Sequence, residues 1–157
     1  ISPGPRDLQL SPDGEFLYSG CNSSGFISKI PLKALLDTMK DHVAKDERVK
    51  PADLGVVSSF AGMGIRSVKL SPDGKYLFAA VNQGSELQSY QTKDMKMISR
   101  IPVDSFPVGL DISPDGSQVW VTSQGRNLKG GNSIGVFQVK YKLDEIISVS
   151  KDPRKGK

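Results

Sequence analysis

Few side chains in this 157-residue sequence are of the types that perform covalent catalysis or bind transition metals. His42 is the only histidine, so a Ser-His-Asp triad would have to use it, and Asp46 one helical turn further on completes no metal-binding set. Cys21 is the only cysteine and has no histidine near it, which favours a small packed residue. The glycines at Gly125 and Gly130–Gly131 do not lie between a strand and a helix, so they predict no phosphate-binding loop. The sequence predicts no catalytic residue, no metal and no cofactor.

Two arginines have chemistry that suits binding. Arg6 and Arg66 each lie at the start of a predicted strand that leads into the same four-residue turn. A guanidinium offers several fixed donors and stays charged at every physiological pH, so two of them facing one cavity favour an anionic ligand or an acidic partner segment. The opposing interpretation is that they pair with Asp7 or Asp111 and only stabilise the fold.

A repeated turn shows which elements must position these side chains. Ser-Pro-Asp-Gly occurs three times, at residues 11–14, 71–74 and 113–116. Proline presets φ for the first central position, aspartate bonds nearby backbone, and glycine takes the positive φ that reverses the chain. Because the same solution recurs at three sites, we predict a structural role for the turn aspartates, which are Asp13, Asp73 and Asp115.

The segments that flank each turn predict four strands per repeat. Apolar residues alternate before the turn, aromatic and β-branched residues follow it, and a polar loop leads to a third and a fourth strand. The second and third turns are 42 residues apart, which matches the ~40–45 residues of a four-stranded propeller blade. We therefore predict an all-β chain, a β-propeller fragment of three consecutive four-stranded antiparallel blades. The expected blades cover about 5–61, 64–102 and 107–150, followed by a basic tail at 151–157.

The first repeat is longer than the second, and its surplus lies between the third and fourth strands. Apolar residues at 32, 35, 36, 39 and 43 have helical spacing on one face. We predict a helical insertion at 32–47, packed on the propeller rim, which makes His42 a rim residue. Trp120 and Tyr76 lie on alternating strands and are predicted to be core residues.

Propeller geometry places the two arginines at one end of the central channel. The innermost strand of each blade lines the channel. The loop that leads into this strand lies at the same end of the propeller as the loop between the second and third strands, and we call this end the channel mouth. Arg6 and Arg66 are predicted there, whereas the third blade has Val108 at the equivalent position. The polar residues expected beside them are Asn22, Asn82, Gln83 and Gln124.

The repeats resemble those of the YVTN-type β-propeller family. The resemblance rests on residues 70–78 with Asn82 and on residues 101–116, while the first repeat matches only through Asn22. It implies an extracytoplasmic location, whether periplasmic, at the cell surface or secreted. Residues 131–137 are similar to the third strand of lactonase-type propellers, which have seven blades and hydrolyse sugar lactones. A propeller hosts many activities, so these resemblances bear mainly on architecture.

Three blades do not close a ring, because propellers have about 4–8 blades and an end blade exposes an apolar face. The remaining blades are expected from a longer parent chain, a second polypeptide or a second copy. The 21 basic and 17 acidic residues leave a net charge of +4, which predicts no nucleic-acid partner. No apolar run approaches ~20 residues, so we expect no membrane span. The predicted function is a non-catalytic binding or scaffold propeller; the alternative is a lactonase-like hydrolase or a propeller subunit of an oxidoreductase.

Overall fold

A computed structural model of the chain describes residues 2–42, 50–126, 130–142 and 145–151. Within these residues, strands dominate, and one α-helix and one short 3-10 helix interrupt them. The strands are β1 (Pro5–Leu10), β2 (Phe16–Cys21), β3 (Phe26–Pro31), β4 (Val57–Phe60), β5 (Ile65–Leu70), β6 (Tyr76–Val81), β7 (Glu86–Gln91), β8 (Met97–Pro102), β9 (Pro107–Ile112), β10 (Gln118–Ser123), β11 (Ser133–Lys142) and β12 (Glu145–Lys151). The helix α1 (Leu32–His42) follows β3, and the 3-10 helix (Pro51–Leu54) precedes β4.

The strands form three separate four-stranded antiparallel sheets, each in sequence order. We call them blade 1 (β1–β4), blade 2 (β5–β8) and blade 3 (β9–β12). Strand β5 contacts both β1 and β9, so the first strands of the blades stand side by side. This arrangement confirms the predicted fold of three consecutive four-stranded antiparallel blades with a helix between the third and fourth strands of the first.

Each Ser-Pro-Asp-Gly turn is closed by the same hydrogen bonds. In blade 2, the Ser71 hydroxyl donates to Asp73 Oδ1 at 2.6 Å, and the Gly74 N–H donates to the Ser71 carbonyl at 2.8 Å. Asp73 Oδ1 also accepts from the Lys75 N–H at 3.1 Å. Corresponding bonds form around Asp13 and Asp115, so the turn aspartates have the structural role that the repeat predicts.

Blade 2 is the centre of the core, because both of its faces are covered. All six residues of β6 are buried. Leu77, Ala79 and Val81 pack towards blade 1, against a cluster that includes Tyr18 and Ile27. The alternate residues Tyr76, Phe78 and Ala80 pack towards blade 3, in a cluster that contains Val119, Val121 and Phe137. Successive residues of β6 thus serve opposite interfaces, as the period of a strand requires.

The outer faces of blades 1 and 3 expose apolar side chains. Leu8 and Leu10 on β1 are 51% and 58% exposed, and Phe60 on β4 is exposed as well. Trp120 on β10 is 37% exposed, so its prediction as a core residue is wrong, whereas Tyr76 is buried as predicted. Trp120 has the strand position of Phe78, but among the described residues no further blade packs on this face of blade 3.

Helix α1 lies beside blade 1, where it contacts β2 and β3. The helix begins at Leu32, as predicted. Residues 43–47 of the predicted helical insertion and residues 152–157 of the predicted basic tail lie outside the described residues. A cleft of about 980 Å³ separates the helix from the Ser-Pro-Asp-Gly turn of blade 1, with Leu36 and Met39 at its wall. In the described part of the chain, no helix is long and apolar enough to cross a membrane.

Candidate functional site

The innermost strand enters each blade in the same way at the channel mouth. A residue with positive φ precedes every innermost strand: Gly4 at 73°, Gly64 at 86° and Phe106 at 57°. Two residues further on, the pairing with the second strand skips one position, so that Asp7, but not Arg6, stands opposite Gly20. The same skip leaves Arg66 unpaired in blade 2.

These skips are β-bulges, and they re-aim the side chain of the extra residue. In blade 3 the bulge falls on Val108. Arg6, Arg66 and Val108 thus occupy equivalent positions in the three blades. The sequence carries a signal for the bulge that motif analysis missed, since glycine stands two residues before both arginines, as Gly4-Pro5-Arg6 and Gly64-Ile65-Arg66.

The two arginines differ in their surroundings. Arg6 is exposed, whereas Arg66, on the central blade 2, is half-buried. The Nε atom of Arg66 is buried and has no hydrogen-bond partner. A buried donor without a hydrogen-bond partner is uncommon in folded proteins. Ser24, in the loop that follows β2, has the same property, since its Oγ is buried and unpartnered.

The carboxylates that could neutralise the arginines bind other groups. Asp7 Oδ2 accepts the Val68 N–H at 2.8 Å, which joins the innermost strands of blades 1 and 2. Asp7 Oδ1 accepts from the Leu8 N–H at 3.0 Å. Asp111 lies 3.8 Å from the Lys69 ammonium. The interpretation in which Asp7 and Asp111 serve the arginines therefore receives no support from these contacts.

The two asparagines of the predicted site join one blade to the next. Asn22 Nδ2 donates to the Ile65 carbonyl at 3.3 Å, and Asn82 Nδ2 donates to the Pro107 carbonyl at 3.0 Å. The backbone N–H groups of the two asparagines donate to the carbonyls of Gly4 and Gly64, respectively. These glycines are the positive-φ residues that precede the first strand of each asparagine's own blade. Asn82 is buried, with 2% exposure. These contacts give both side chains a structural role, and Asn82 does not present its amide to the channel.

The two glutamines are exposed at the same end of the molecule. Gln83 follows Asn82 and packs beside Gly64, where a Cβ would meet Gln83 Cγ at 2.9 Å. Gln124 has the position of the asparagines in blade 3, and its N–H donates to the Phe106 carbonyl at 3.1 Å. All six predicted residues thus lie near the blade entries. Arg6, Gln83 and Gln124 are exposed, Arg66 is half-buried, and the side chains of Asn22 and Asn82 make contacts between blades.

A second polar cluster, which the sequence did not predict, lies on the outer part of blade 3. Asp104, in the linker after β8, accepts hydrogen bonds from Ser133 Oγ at 2.6 Å and from the Gly131 N–H at 3.1 Å. These bonds hold the pKa of the Asp104 carboxyl below its usual value. A cleft of about 460 Å³ borders the cluster, with Lys151 on its far side. Because Gly131 and Ser133 lie 27 and 29 residues after Asp104, these bonds tie the linker after β8 to the start of β11. Among the described residues, no group of three or more histidine, cysteine, aspartate or glutamate side chains is arranged to hold a metal ion.

The three antiparallel sheets and the hydrogen bonds that join one sheet to the next define the chain as three blades of a β-propeller. No family model matches it. Over 82 residues, 48% of the chain, it is 28% identical to hydrazine synthase subunit beta from Kuenenia stuttgartiensis, of which it covers 21%. The solved Kuenenia stuttgartiensis hydrazine synthase has a TM-score of 0.65 and 21% identity, covering 94% of this chain and 35% of that chain.

Two solved chains assigned as 6-phosphogluconolactonases have the same architecture. The one from Bacteroides uniformis has a TM-score of 0.61 and 18% identity over 96% of this chain and 42% of its own. The one from Bacteroides fragilis has a TM-score of 0.64 and 19% identity over 97% and 43%. The chain thus spans less than half the length of these solved chains, and likeness at this identity shows the fold alone.

Proposed function

We propose that this chain is part of a non-catalytic binding propeller whose channel mouth receives an anionic group. The observation that carries the proposal is the buried, unpartnered Nε of Arg66 at a β-bulge. A bulge that aims a guanidinium at the blade entry, with one donor unused, suits a carboxylate or phosphate oxygen. Ser24 Oγ supplies a second unused donor in the neighbouring loop of blade 1.

The energetics favour an anion at this position. A buried donor without an acceptor costs about 1–3 kcal/mol, and more when the group is charged. An anion that accepts from Arg66 would remove that cost, and Arg6 on the next blade would add attraction without a direct contact. Asn22 and Asn82 are engaged between blades, whereas Gln83 and Gln124 are exposed candidates for polar contacts with the ligand.

The binding role extends to the assembly. The exposed apolar faces of blades 1 and 3 require further blades, from a longer parent chain, a second polypeptide or a second copy. The resemblance to the YVTN-type family supports an extracytoplasmic location. A scaffold of this kind binds its partner at the mouth, and the partner class that fits is an acidic protein segment.

A second candidate is a propeller subunit of an oxidoreductase complex. The specific observation in its favour is the 82-residue similarity to hydrazine synthase subunit beta. In that case the anionic group at the mouth would belong to another subunit, and the same arginines would serve the assembly. The lactonase alternative is supported only by fold, at 18% and 19% identity.

Titration with a short glutamate-rich peptide tests the proposal. Wild-type chain should bind the peptide with a salt-dependent affinity, and Arg66→Ala should weaken binding by about 1–3 kcal/mol, the range for charge-assisted hydrogen bonds. Arg100→Ala is the matched control, because Arg100 lies on the outer strand β8 and pairs with Glu86.

The outcomes separate the candidates. Equal loss of binding in Arg66→Ala and Arg100→Ala would mean that the peptide follows net charge, and the mouth site would be abandoned. Hydrolysis of 6-phosphogluconolactone by the wild-type chain, lost in Arg66→Ala, would replace the binding role with the hydrolase.

A further inference from the structure

The third blade differs from the other two at the residue that leads into its innermost strand. Blades 1 and 2 have glycine there, Gly4 and Gly64, whereas blade 3 has Phe106, and all three residues have positive φ. Left-handed backbone is unfavourable for a residue with a Cβ but not for glycine. The φ of 57° at Phe106 is therefore backbone strain that glycine at the same position would avoid.

A second exchange of residues accompanies this change, in the loop after the second strand. In blades 1 and 2, a side chain of this loop packs against the entry glycine. A Cβ added to Gly4 would clash with Ser23 Oγ, and one added to Gly64 would lie 2.9 Å from Gln83 Cγ. The equivalent loop residue of blade 3 is Gly125, which has no side chain. Blade 3 thus has the large residue at its entry and the small one in its loop, the reverse of the other two blades.

Hydrogen bonds from both neighbouring loops hold the strained residue in place. The Phe106 N–H donates to Ser85 Oγ at 3.4 Å, and the Phe106 carbonyl accepts the Gln124 N–H at 3.1 Å. The carbonyl of Pro107, the next residue, accepts the Asn82 amide at 3.0 Å, and this hydrogen bond forms the joint between blades 2 and 3. Backbone strain that its surroundings impose in this way is concentrated at binding and active sites.

Arg126 lies over the aromatic ring that this backbone presents. Its guanidinium carbon is 5.3 Å from the centroid of the Phe106 ring, and the arginine is exposed. Cation–π attraction of this kind holds the guanidinium but uses none of its N–H donors. The planar fork of donors matches a carboxylate, which accepts two parallel hydrogen bonds from it.

Arg66 belongs to the same junction of blades 2 and 3. Ser67, next to it in β5, donates its hydroxyl to the Val108 carbonyl at 2.8 Å, and Val108 is two residues after Phe106. One hydrogen bond therefore joins the segment that carries Arg66 to the segment that carries Phe106. Arg66 and Arg126 thus lie on neighbouring blades at the channel mouth, the first with a buried Nε and the second exposed.

We infer that Arg126, positioned by Phe106, is a second anion-binding position at the mouth, and that the ligand there is a peptide segment with two carboxylates. The inference rests on the proposed function, in which Arg66 receives the first carboxylate. Once that group is bound, the second carboxylate binds within the same complex, and this adds affinity only when the separation of the two groups fits. Arg126 therefore selects the spacing of the acidic residues, and Phe106 acts through Arg126 as a positioning residue.

Titration of the full chain with a set of isomeric peptides tests the two positions. Each peptide carries two glutamates among alanines, and the peptides differ only in the separation of the glutamates, so net charge and composition are constant. The wild type should bind one separation about three- to tenfold more tightly than the others. Arg126→Ala should remove this preference and change the affinity for the other separations by less than about twofold.

Lys93→Ala is the matched control for the loss of one positive charge. Lys93 is exposed in the turn between β7 and β8. Its neighbour Thr92 donates its hydroxyl to the Gly74 carbonyl at 2.7 Å, which places the turn beside the Ser-Pro-Asp-Gly turn of blade 2, at the end opposite the mouth. This variant should keep the wild-type preference for one separation.

Two substitutions of Phe106 separate positioning from packing. Phe106→Leu keeps an apolar side chain on the strained backbone, whereas Phe106→Gly removes both the side chain and the strain, so the two variants should differ in melting midpoint. Both lack the ring under Arg126, and both should lose about two- to fivefold of the preference for one separation. A packing role predicts instead that the loss of binding follows the loss of stability.

Four results would overturn the inference. Equal affinity for all separations in the wild type, with Arg66→Ala still weakening binding, would leave the mouth with one anion position. An unchanged preference in Arg126→Ala would place the second contact elsewhere, and loss of the preference in Lys93→Ala would assign it to net charge. Binding that follows the melting midpoint in the Phe106 variants would remove the positioning role. Peptide binding that Arg66→Ala does not weaken would instead remove the proposed function itself, so the two failures are distinguishable.

Discussion

Replacing Asn82 by alanine should loosen blade 3 from blade 2. The side chain is 2% exposed, and its amide donates to the carbonyl of buried Pro107 at 3.0 Å. Alanine keeps the main-chain bonds to Gly64 and Ser85 and removes only this contact. Leaving a buried acceptor without its donor costs about 1–3 kcal/mol. For a domain of this size, each kcal/mol lowers the melting midpoint by about 2–4 °C.

Asn22→Ala provides an internal comparison. Asn22 makes the equivalent contact between blades 1 and 2, but it is half-buried and its amide lies 3.3 Å from the Ile65 carbonyl. A longer bond that water can replace contributes less, about 0.5–1.5 kcal/mol. We therefore expect urea unfolding to rank Asn82→Ala below Asn22→Ala in stability. Asn82→Asp should cost at least as much as Asn82→Ala, because a carboxylate cannot donate.

Hydrogen exchange locates the effect. Loss of the Asn82 joint should increase exchange in β9 more than in β1, because the joint holds β9. An Asn22→Ala variant that is destabilised as much as Asn82→Ala would refute the role of burial in this reasoning. A fully stable Asn82→Ala would refute the joint itself.

Four further outcomes are expected. Arg66→Ala should not lower the melting midpoint in calorimetry, because its Nε makes no hydrogen bond and the substitution removes a buried donor without a partner. Hydrogen bonds from Ser113 and Ser117 lower the pKa of Asp115 from 3.8 to about 2. The carboxylate therefore contributes stability above pH 3.8, and this contribution is lost as the pH falls through about 2. Acid unfolding of the wild type and of Asp115→Ala should show that the stability gap between them closes over this pH range. Gly64→Ala should lower the melting midpoint more than Gly14→Ala. Gly64 has a φ of 86°, and a Cβ there would lie 2.9 Å from the Gln83 backbone nitrogen, whereas a Cβ at Gly14 would meet nothing within 4 Å. Burial raises the pKa of Tyr90, so absorbance should show that this tyrosine ionises at a higher pH than an exposed tyrosine does.

The fold was predictable because its signals are local and repeated. The three Ser-Pro-Asp-Gly turns and the alternation beside them place all three innermost strands within one residue of their observed starts. Helix α1 followed from the spacing of Leu32, Leu35, Leu36 and Met39. These patterns depend only on the period of each element and on the turn residues.

The site was less predictable because side-chain roles depend on neighbours that are distant in sequence. Asn82 and Pro107 are 25 residues apart, and only the packing of two blades reveals that the amide is engaged. Arg6 and Arg66 stand at equivalent bulges, yet Arg6 is exposed and Arg66 Nε is buried, a difference that sequence periodicity does not show. Trp120 was misplaced for a related reason, since its pattern is that of a packed strand and its exposure depends on what stands beside blade 3.

Each contact between blades takes its amide donor from one blade and its carbonyl acceptor from the next, which bears on how the number of blades can change. A blade brings its own amide after its second strand and its own carbonyl at its entry, so a duplicated blade arrives with both connectors already in place. Duplication within a gene can therefore lengthen or shorten the array without inventing a contact. Asparagine has this position in two blades and glutamine has it in the third, so all three blades carry a side-chain amide there. Blade number is thus free to change in evolution while the way one blade meets the next stays the same.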